Sequence, residues 1–171
     1  LKYVIAIIPS MTLQNIANHL RKRYDSQYEI LPTHLPLSES SEVSETAIKE
    51  MVVKLREVAN ETNPFSLQVF KYSSFKPLDS SIYMGVRDIE ELVTLQKKLN
   101  KISKPTGKTH PFIPHIKICQ GLDDDEFHDI LGRLKMESVN YEEKCNCFQL
   151  LSESENGIWV VYETFWLGKE E

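Results

Sequence analysis

The sequence predicts an α+β fold: a single domain over residues 1–171, built of two similar lobes around a central cleft. Three observations predict it. Hydrophobic periodicity switches between strand and helix in the order β-α-β-α-β-β-α-β-α-β-β. Each half carries one strand with a lone histidine in an apolar context, His34 and then His115, so two similar lobes facing each other bring both to one cleft. The chain of 171 residues is 41% hydrophobic and 26% charged, ordinary for a soluble chain with one sizeable core.

The elements follow in order. Lys2–Ile8 is an apolar run ended by Pro9-Ser10, read as a buried strand; it has no basic leader or small-residue cleavage site, so it does not read as a signal peptide. Met11–Tyr24 has Leu13, Ile16, Ala17 and Leu20 at helical spacing. Arg21-Lys22-Arg23 in its last turn reads as a solvated set of cations complementing the helix dipole. Ile30–Leu37 is extended despite Pro32 and Pro36, and Ser38–Ser44 is a polar loop. Ser44–Asn60 is an amphipathic helix broken by Pro64. Leu67–Phe75 and Ser81–Val86 are strands. Asp88 and Glu91 have capping-box spacing and open a helix to about Leu99, followed by a polar loop over Lys101–Thr109. Phe112–Cys119 is a strand that puts His115, Lys117 and Cys119 on one face. A short helix runs from Asp123 to about Leu134. Cys145–Leu151 and Ile158–Trp166 form a hairpin around Asn156-Gly157.

Composition excludes several classes. No apolar run approaches the roughly 20 residues of a bilayer span. A formal charge of −5 disfavours long nucleic acid, whose affinity comes from basic residues, but leaves room for a small anion in a local pocket. Cys119, Cys145 and Cys147 form no disulfide framework, which suggests a reducing, cytoplasmic setting. His110, His115 and Cys119 match no metal-ligand spacing, and Cys145-Asn146-Cys147 is not a Cys-x-x-Cys motif; no metal and no cofactor are expected. The sequence leaves the oligomeric state open.

The chemistry rests on Pro32-Thr33-His34-Leu35-Pro36-Leu37 and Ile113-Pro114-His115-Ile116-Lys117-Ile118. Both read His, apolar, X, apolar. At strand spacing His and X share a face, so two such strands offer two imidazoles and two X side chains to one site. One histidine accepts a proton from an attacking hydroxyl or water, and the other protonates the departing oxygen. Imidazole suits both roles because its ordinary pKa lies near neutrality.

These residues resemble the two-histidine (2H) phosphoesterase superfamily, which includes the 2′-5′ RNA ligase-like proteins and is marked by paired His-x-Thr/Ser-x motifs. More narrowly, the chain is similar to the YjcG-like branch. The likeness runs through Ile8-Pro9-Ser10, Arg21-Lys22-Arg23-Tyr24-Asp25, Pro32–His34, Tyr72-Ser73-Ser74-Phe75, Ile82-Tyr83, Pro114-His115, Gln120-Gly121-Leu122 and Val161-Tyr162-Glu163-Thr164-Phe165. The resemblance implies a bilobal fold with a central cleft and metal-independent chemistry on 2′,3′-cyclic phosphates, 2′-5′ linkages or related nucleotides. Both motifs are altered here. Pro36 offers no donor where the family has a hydroxyl, and Lys117 offers a flexible point charge. Ser38 and Gly85 stand where the family often has basic residues.

His34 and His115 are the candidate catalytic pair, and with Lys117 they form the candidate phosphate site. Lys71, Ser73 and Ser74, beside Tyr72 and Phe75, are further candidates for phosphate contact and base stacking, with Tyr83 behind them. Two readings follow. In the first, the protein binds and sequesters a cyclic or ADP-ribose-type nucleotide, with weak or no hydrolysis; loss of both hydroxyl positions favours this one. In the second, it is an active phosphoesterase acting on a small nucleotide or an RNA terminus. A third, a protein–protein module without a ligand, would need a fully packed cleft with both histidines buried.

Overall fold

The structure, a computed structural model, describes residues 1–103 and 111–168. The expected Lys101–Thr109 loop and His110 fall mostly outside these residues; the described part, 101–103, is the end of a helix. The elements are β1 (Lys2–Ile7), α1 (Met11–Tyr24), β2 (Leu35–Pro36), β3 (Ser41–Glu42), α2 (Glu45–Glu61), β4 (Phe65–Ser74), β5 (Ile82–Val86), α3 (Glu90–Ser103), β6 (His115–Cys119), α4 (Asp124–Lys135), β7 (Tyr141–Cys145), β8 (Cys147–Glu153) and β9 (Trp159–Trp166).

The strands form two antiparallel sheets. One has the order β2-β1-β8-β9, with β3 also on β1; the other has the order β6-β5-β4-β7. Alternation along the strands explains the layers. Tyr3, Ile5 and Ile7 of β1, and Ile82, Met84 and Val86 of β5, turn to the core. There they meet Leu13 and Ala17 of α1, Ile48 and Leu55 of α2, Leu95 and Leu99 of α3, and Phe127 of α4. One core therefore draws on both sheets and all four helices, while on the other face of the first sheet Val4, Ala6 and Leu151 form a small second cluster with Ile8 and Trp159. Among the described residues no helix is long and apolar enough to cross a membrane.

Several expectations are corrected. The extended segment Ile30–Leu37 shrinks to β2, because residues 26–31 coil into turns in which Asp25, Gln27 and Arg21 take the backbone groups. The polar loop after it supplies β3, and Ser38 Oγ accepts from Ile5 N at 2.9 Å, tying that loop to β1. Cys145–Leu151 is not one strand. Asn146 divides it, with β7 in the second sheet and β8 in the first. The charged run Tyr141–Lys144 hid β7, an edge strand that alternates between exposed and half-buried positions. The reciprocal capping pair forms at Asp123 and Glu126, opening α4, while α3 starts at Glu90. The Asn-Gly hairpin is as expected, with Gly157 at φ +77°.

The two lobes are strapped together away from the cleft. Ser10 caps α1, its Oγ accepting from Leu13 N at 3.3 Å. Glu143 of β7 in turn accepts from Ser10 N at 2.9 Å and Ser10 Oγ at 2.5 Å. The carboxylate thus sits at the positive end of the helix dipole. Ser10→Ala removes the cap and one side of this strap. It is expected to cost about 1–2 kcal/mol, read as a lower urea midpoint at unchanged slope.

Candidate functional site

His34 immediately precedes β2, and His115 opens β6. The two face one cavity of about 160 Å³, with Lys117, Pro36 and Gln120 on its walls and the Arg21–Asp25 pair behind. The cleft is therefore open, and His34 and His115 are each half-buried. Past Pro36, His115 and Lys117, the cavity adjoins an outer basin of about 600 Å³. Phe75, Phe112, Ile113 and Leu78 give the basin its apolar lining. Ser38, Glu39, Asp79, Gln96 and Asn100 add polar groups. This size and mixture fit a small organic ligand.

Each imidazole is fixed in the same way. His34 Nδ1 lies 2.8 Å from Pro32 O, and His115 Nδ1 lies 2.7 Å from Ile113 O. A carbonyl only accepts, so Nδ1 carries the proton in both rings, and Nε2 is left for other partners. The short tethers follow from sequence: each carbonyl belongs to the residue two before its histidine, with a single residue, Thr33 or Pro114, between them. Burial is the main cause that lowers His34, to about 4, helped by the positive charges of Arg21, His115 and Lys117 against the pull of the Pro32 carbonyl. Burial also lowers His115, with Lys117 adding to it and the Ile113 carbonyl and Asp79 opposing. At pH 7 His34 is thus neutral, with Nε2 as its proton-free nitrogen.

Beneath the pair lies a network that the sequence reading took for solvated charge. Arg21 is 3% exposed. Its Nε donates to Asp25 Oδ2 at 2.8 Å, and its Nη1 to Thr33 Oγ1 at 2.9 Å and Asn18 Oδ1 at 3.2 Å. Its Nη2 donates to Leu31 O. Asp25 also accepts from Gln27 N and, at 2.9 Å, from Gln120 Nε2 just beyond β6. One guanidinium therefore clamps the segment before His34, while its carboxylate partner reaches the strand of His115. The spacing of Arg21 and Asp25, one helical turn apart, was the available signal.

Cross-strand register decides which other candidates join the site. Lys71, Gly85 and His115 form one row of the second sheet; Ser73, Tyr83 and Lys117 form the next. Lys71, Ser73, Phe75, Tyr83, His115 and Lys117 are therefore on the cleft side. Phe75 packs edge-on against His115 at 4.8 Å between centroids and lies 4.5 Å from Tyr83. Lys117 Nζ stands 5.9 Å from the Phe75 ring. Tyr83 is 5% exposed, so it buttresses His115 and Phe75 and offers little stacking surface. Gly85 is needed where it stands, because a Cβ there would lie 2.8 Å from Lys71 Cγ, which crosses over it.

Two candidates are not brought into the cleft. Tyr72 and Ser74 pair with Met84 and Ile82 and so turn to the opposite, helix-facing side. Tyr72 lines a separate cavity of about 410 Å³ between α1 and α4. Cys119, expected beside His115 and Lys117, is buried in the core, because the β5–β6 register shifts between Ile82 and Tyr83. Among the described residues, no group of three or more His, Cys, Asp or Glu side chains is arranged to hold a metal ion.

Comparison with known proteins bears on the family and the fold. Residues 9–157 match the family model of the 2′-5′ RNA ligase superfamily. A protein of Oceanobacillus iheyensis, provisionally named a phosphoesterase, is 49% identical over 99% of this chain and 100% of its own length. A Bacillus licheniformis protein with the same provisional name is 44% identical over 98% of this chain and 99% of its own. Among solved structures, Escherichia coli LigT in complex with 3′-AMP superposes with a TM-score of 0.72 at 15% identity, covering 97% of both chains. LigT has also been solved with NADP+ (TM-score 0.71, 17% identity, 98% of both chains).

Two outcomes test the site. Nitrogen NMR of the histidine rings should find His34 as the Nδ1–H tautomer, neutral across pH 5.5–8 with a midpoint near 4. The unfolded chain binds more protons between that value and about 6.5, so His34's contribution to stability is complete above about 6.5 and is lost as pH falls toward 4. Arg21→Met should destabilise the fold by about 3–5 kcal/mol in urea unfolding, because Asp25 is left buried and uncompensated.

Proposed function

Because the chain belongs to the 2′-5′ RNA ligase superfamily, we propose that its cleft holds a small nucleotide by the phosphate and sequesters it with little or no turnover. The ligand is a cyclic or ADP-ribose-type nucleotide. Its phosphate lies between His34, His115 and Lys117, and its base lies in the outer basin beside Phe75. Lys71 and Ser73 extend the phosphate contacts. We assign the chain to the YjcG-like branch, as one two-lobed domain over residues 1–171 working without metal or cofactor in a reducing cytoplasm. That setting agrees with its three free cysteines.

The observation that carries this reading is the pair of X positions. Pro36 sits in β2 beside Ala6 and has neither hydroxyl nor N–H. Lys117 reaches the cavity as a long charged side chain, not a short fixed donor. A charge that holds the ground state as well as the transition state tightens binding without speeding chemistry. The occupants of LigT support a nucleotide, and NADP+ among them supports a dinucleotide of the ADP-ribose type.

The matched tethers of the histidines favour a second reading, an active phosphoesterase. A neutral His34 with a bare Nε2 is ready to take the proton of an attacking water or 2′-hydroxyl as the new O–P bond forms. The old P–O bond then breaks, and its oxygen takes a proton from His115 Nε2. His115 must first be charged, which the bound phosphate anion favours.

The test is incubation of the purified chain with 2′,3′-cyclic, 3′,5′-cyclic, 2′-5′-linked and cyclic ADP-ribose-type nucleotides. The protein is then denatured and the released ligands chromatographed, beside a His34→Ala/His115→Ala control. A ligand that leaves solution and returns intact supports sequestration. Product that forms with the native chain and vanishes in the control establishes the enzyme. Pro36→Thr/Lys117→Thr is expected to raise turnover by about 10²-fold or more, since one oriented donor to a developing oxyanion is worth roughly that much.

A further inference from the structure

The cavity of about 410 Å³ that Tyr72 lines is separated from the cleft by the second sheet and shares no residue with it. α1 lies against β6 and α4 against β4, and the cavity lies between the two helices. Each helix supplies one stripe. Ile16, Leu20 and Arg23 recur along α1, and Ile130, Leu134 and Arg133 along α4. Ile16 is 37% exposed and Leu20 half-buried, so the apolar stripe of α1 is wider than the core beneath it uses. The polar groups meet where the two helices end. The Tyr24 hydroxyl lies against Arg133 and Arg23, and their guanidiniums hold its pKa below the ordinary phenol value. A guanidinium only donates, so the phenol oxygen takes one N–H from it and leaves the rest of the fork open. Among the described residues neither Arg23 nor Arg133 forms a salt bridge. The basic run at residues 21–23 thus divides: Arg21 serves the cleft, Lys22 faces solvent and Arg23 serves this cavity.

We propose that this cavity is a second binding site, for a small molecule that joins an apolar ring to one carboxylate or phosphate head. The ring lies on Ile16, Leu20, Ile130 and Tyr72. The head meets the Arg23 and Arg133 guanidiniums beside the Tyr24 hydroxyl. The size suits such a molecule, and so does the pattern of an apolar wall with a few converging polar groups. Charge selects the head. Both arginines also complement the carboxyl ends of their helices, but a planar fork without a carboxylate partner is the group best matched to a carboxylate or phosphate, which it can bind by two parallel hydrogen bonds. Glu137, also on the wall, partly offsets the two cations and so limits the site to one anionic head. A polyphosphate would bring further negative charge against it. His19 adds a polar group at the rim.

Methyl NMR of the full chain, titrated to millimolar concentration with naphthoate, naphthyl phosphate and the neutral naphthylmethanol, tests this. The methyl signals of Ile16, Leu20, Ile130 and Leu134 should move with the anions, and the tighter of the two anions identifies the head group. The alcohol should bind about tenfold more weakly or worse, because it forgoes charge-assisted hydrogen bonds. Arg23→Gln and, separately, Arg133→Gln should each raise the dissociation constant of the tighter anion by about tenfold. Ile16→Asp, which sets a carboxylate at an exposed position on the wall, should weaken it as well. Lys22→Gln removes an exposed cation of the same helical turn that does not line the cavity, and should leave the constant unchanged. Absence of shifts at these methyls with either anion overturns the proposal. So do shifts confined to the cleft side, at Leu78 and Ile113, an alcohol that binds as tightly as the anions, or arginine variants that keep full affinity. If an arginine variant fails to fold, Ile16→Asp and the contrast between anion and alcohol on the native chain decide.

Discussion

The arrangement of the cleft depends on one buried ion pair, Arg21–Asp25. A guanidinium at 3% exposure is tolerable only because four acceptors meet it, and its carboxylate partner is satisfied in turn by Gln27 N and Gln120 Nε2. Desolvating two charges costs several kcal/mol per ion, so the pair is a poor source of raw stability. What it provides is position. The loop before His34 has no regular structure of its own, and the hydrogen bonds to Leu31 O and Thr33 Oγ1 give it a single path. The same carboxylate reaches past β6, so the two histidines share a common footing even though they come from different sheets.

That footing also shapes the electrostatics. The cavity contains Arg21 and Lys117, yet Arg21 is neutralised by Asp25 at contact distance. The histidines are therefore held neutral mainly by loss of water, with the cations adding to it. An anion entering this space meets the Lys117 ammonium and two rings whose Nε2 atoms accept protons more readily once a negative charge is near. Ligand binding and protonation of the rings are thus two sides of one equilibrium.

Much of this was legible in the sequence, for identifiable reasons. The strand of His115 and Lys117 was readable because period-2 alternation put Ile116 and Ile118 in the core. His34 was found from its matching flanks, although its segment is mostly loop. Strict alternation also places Lys71, Ser73 and Phe75 on one face and Tyr72 and Ser74 on the other, so grouping all of them in the cleft went beyond what a single strand allows. The burial of Cys119 was not readable, because a register shift between two strands leaves no mark in either one. Arg21 was misread because an arginine in the last turn of a helix is usually solvated. Only the packing of the 31–33 segment and Gln120 over it reveals otherwise. β7 was hidden by its charges, which an edge strand carries without penalty.

Asn146, the single residue between β7 and β8, has a consequence for how the protein is made. The second sheet is continuous in sequence, from Phe65 to Cys145. The first is interrupted: β1, β2 and β3 come at the start of the chain, β8 and β9 at the end. During synthesis the second sheet has all its strands while β1 still lacks its central neighbour, β8. His34 is thus among the first site residues to leave the ribosome, but the sheet beside it is among the last parts to close. All four strands of the second sheet are thus made before β8, but the core they share with Phe148, Leu150 and Phe165 closes only when the last two strands arrive, so both histidines reach their final setting together.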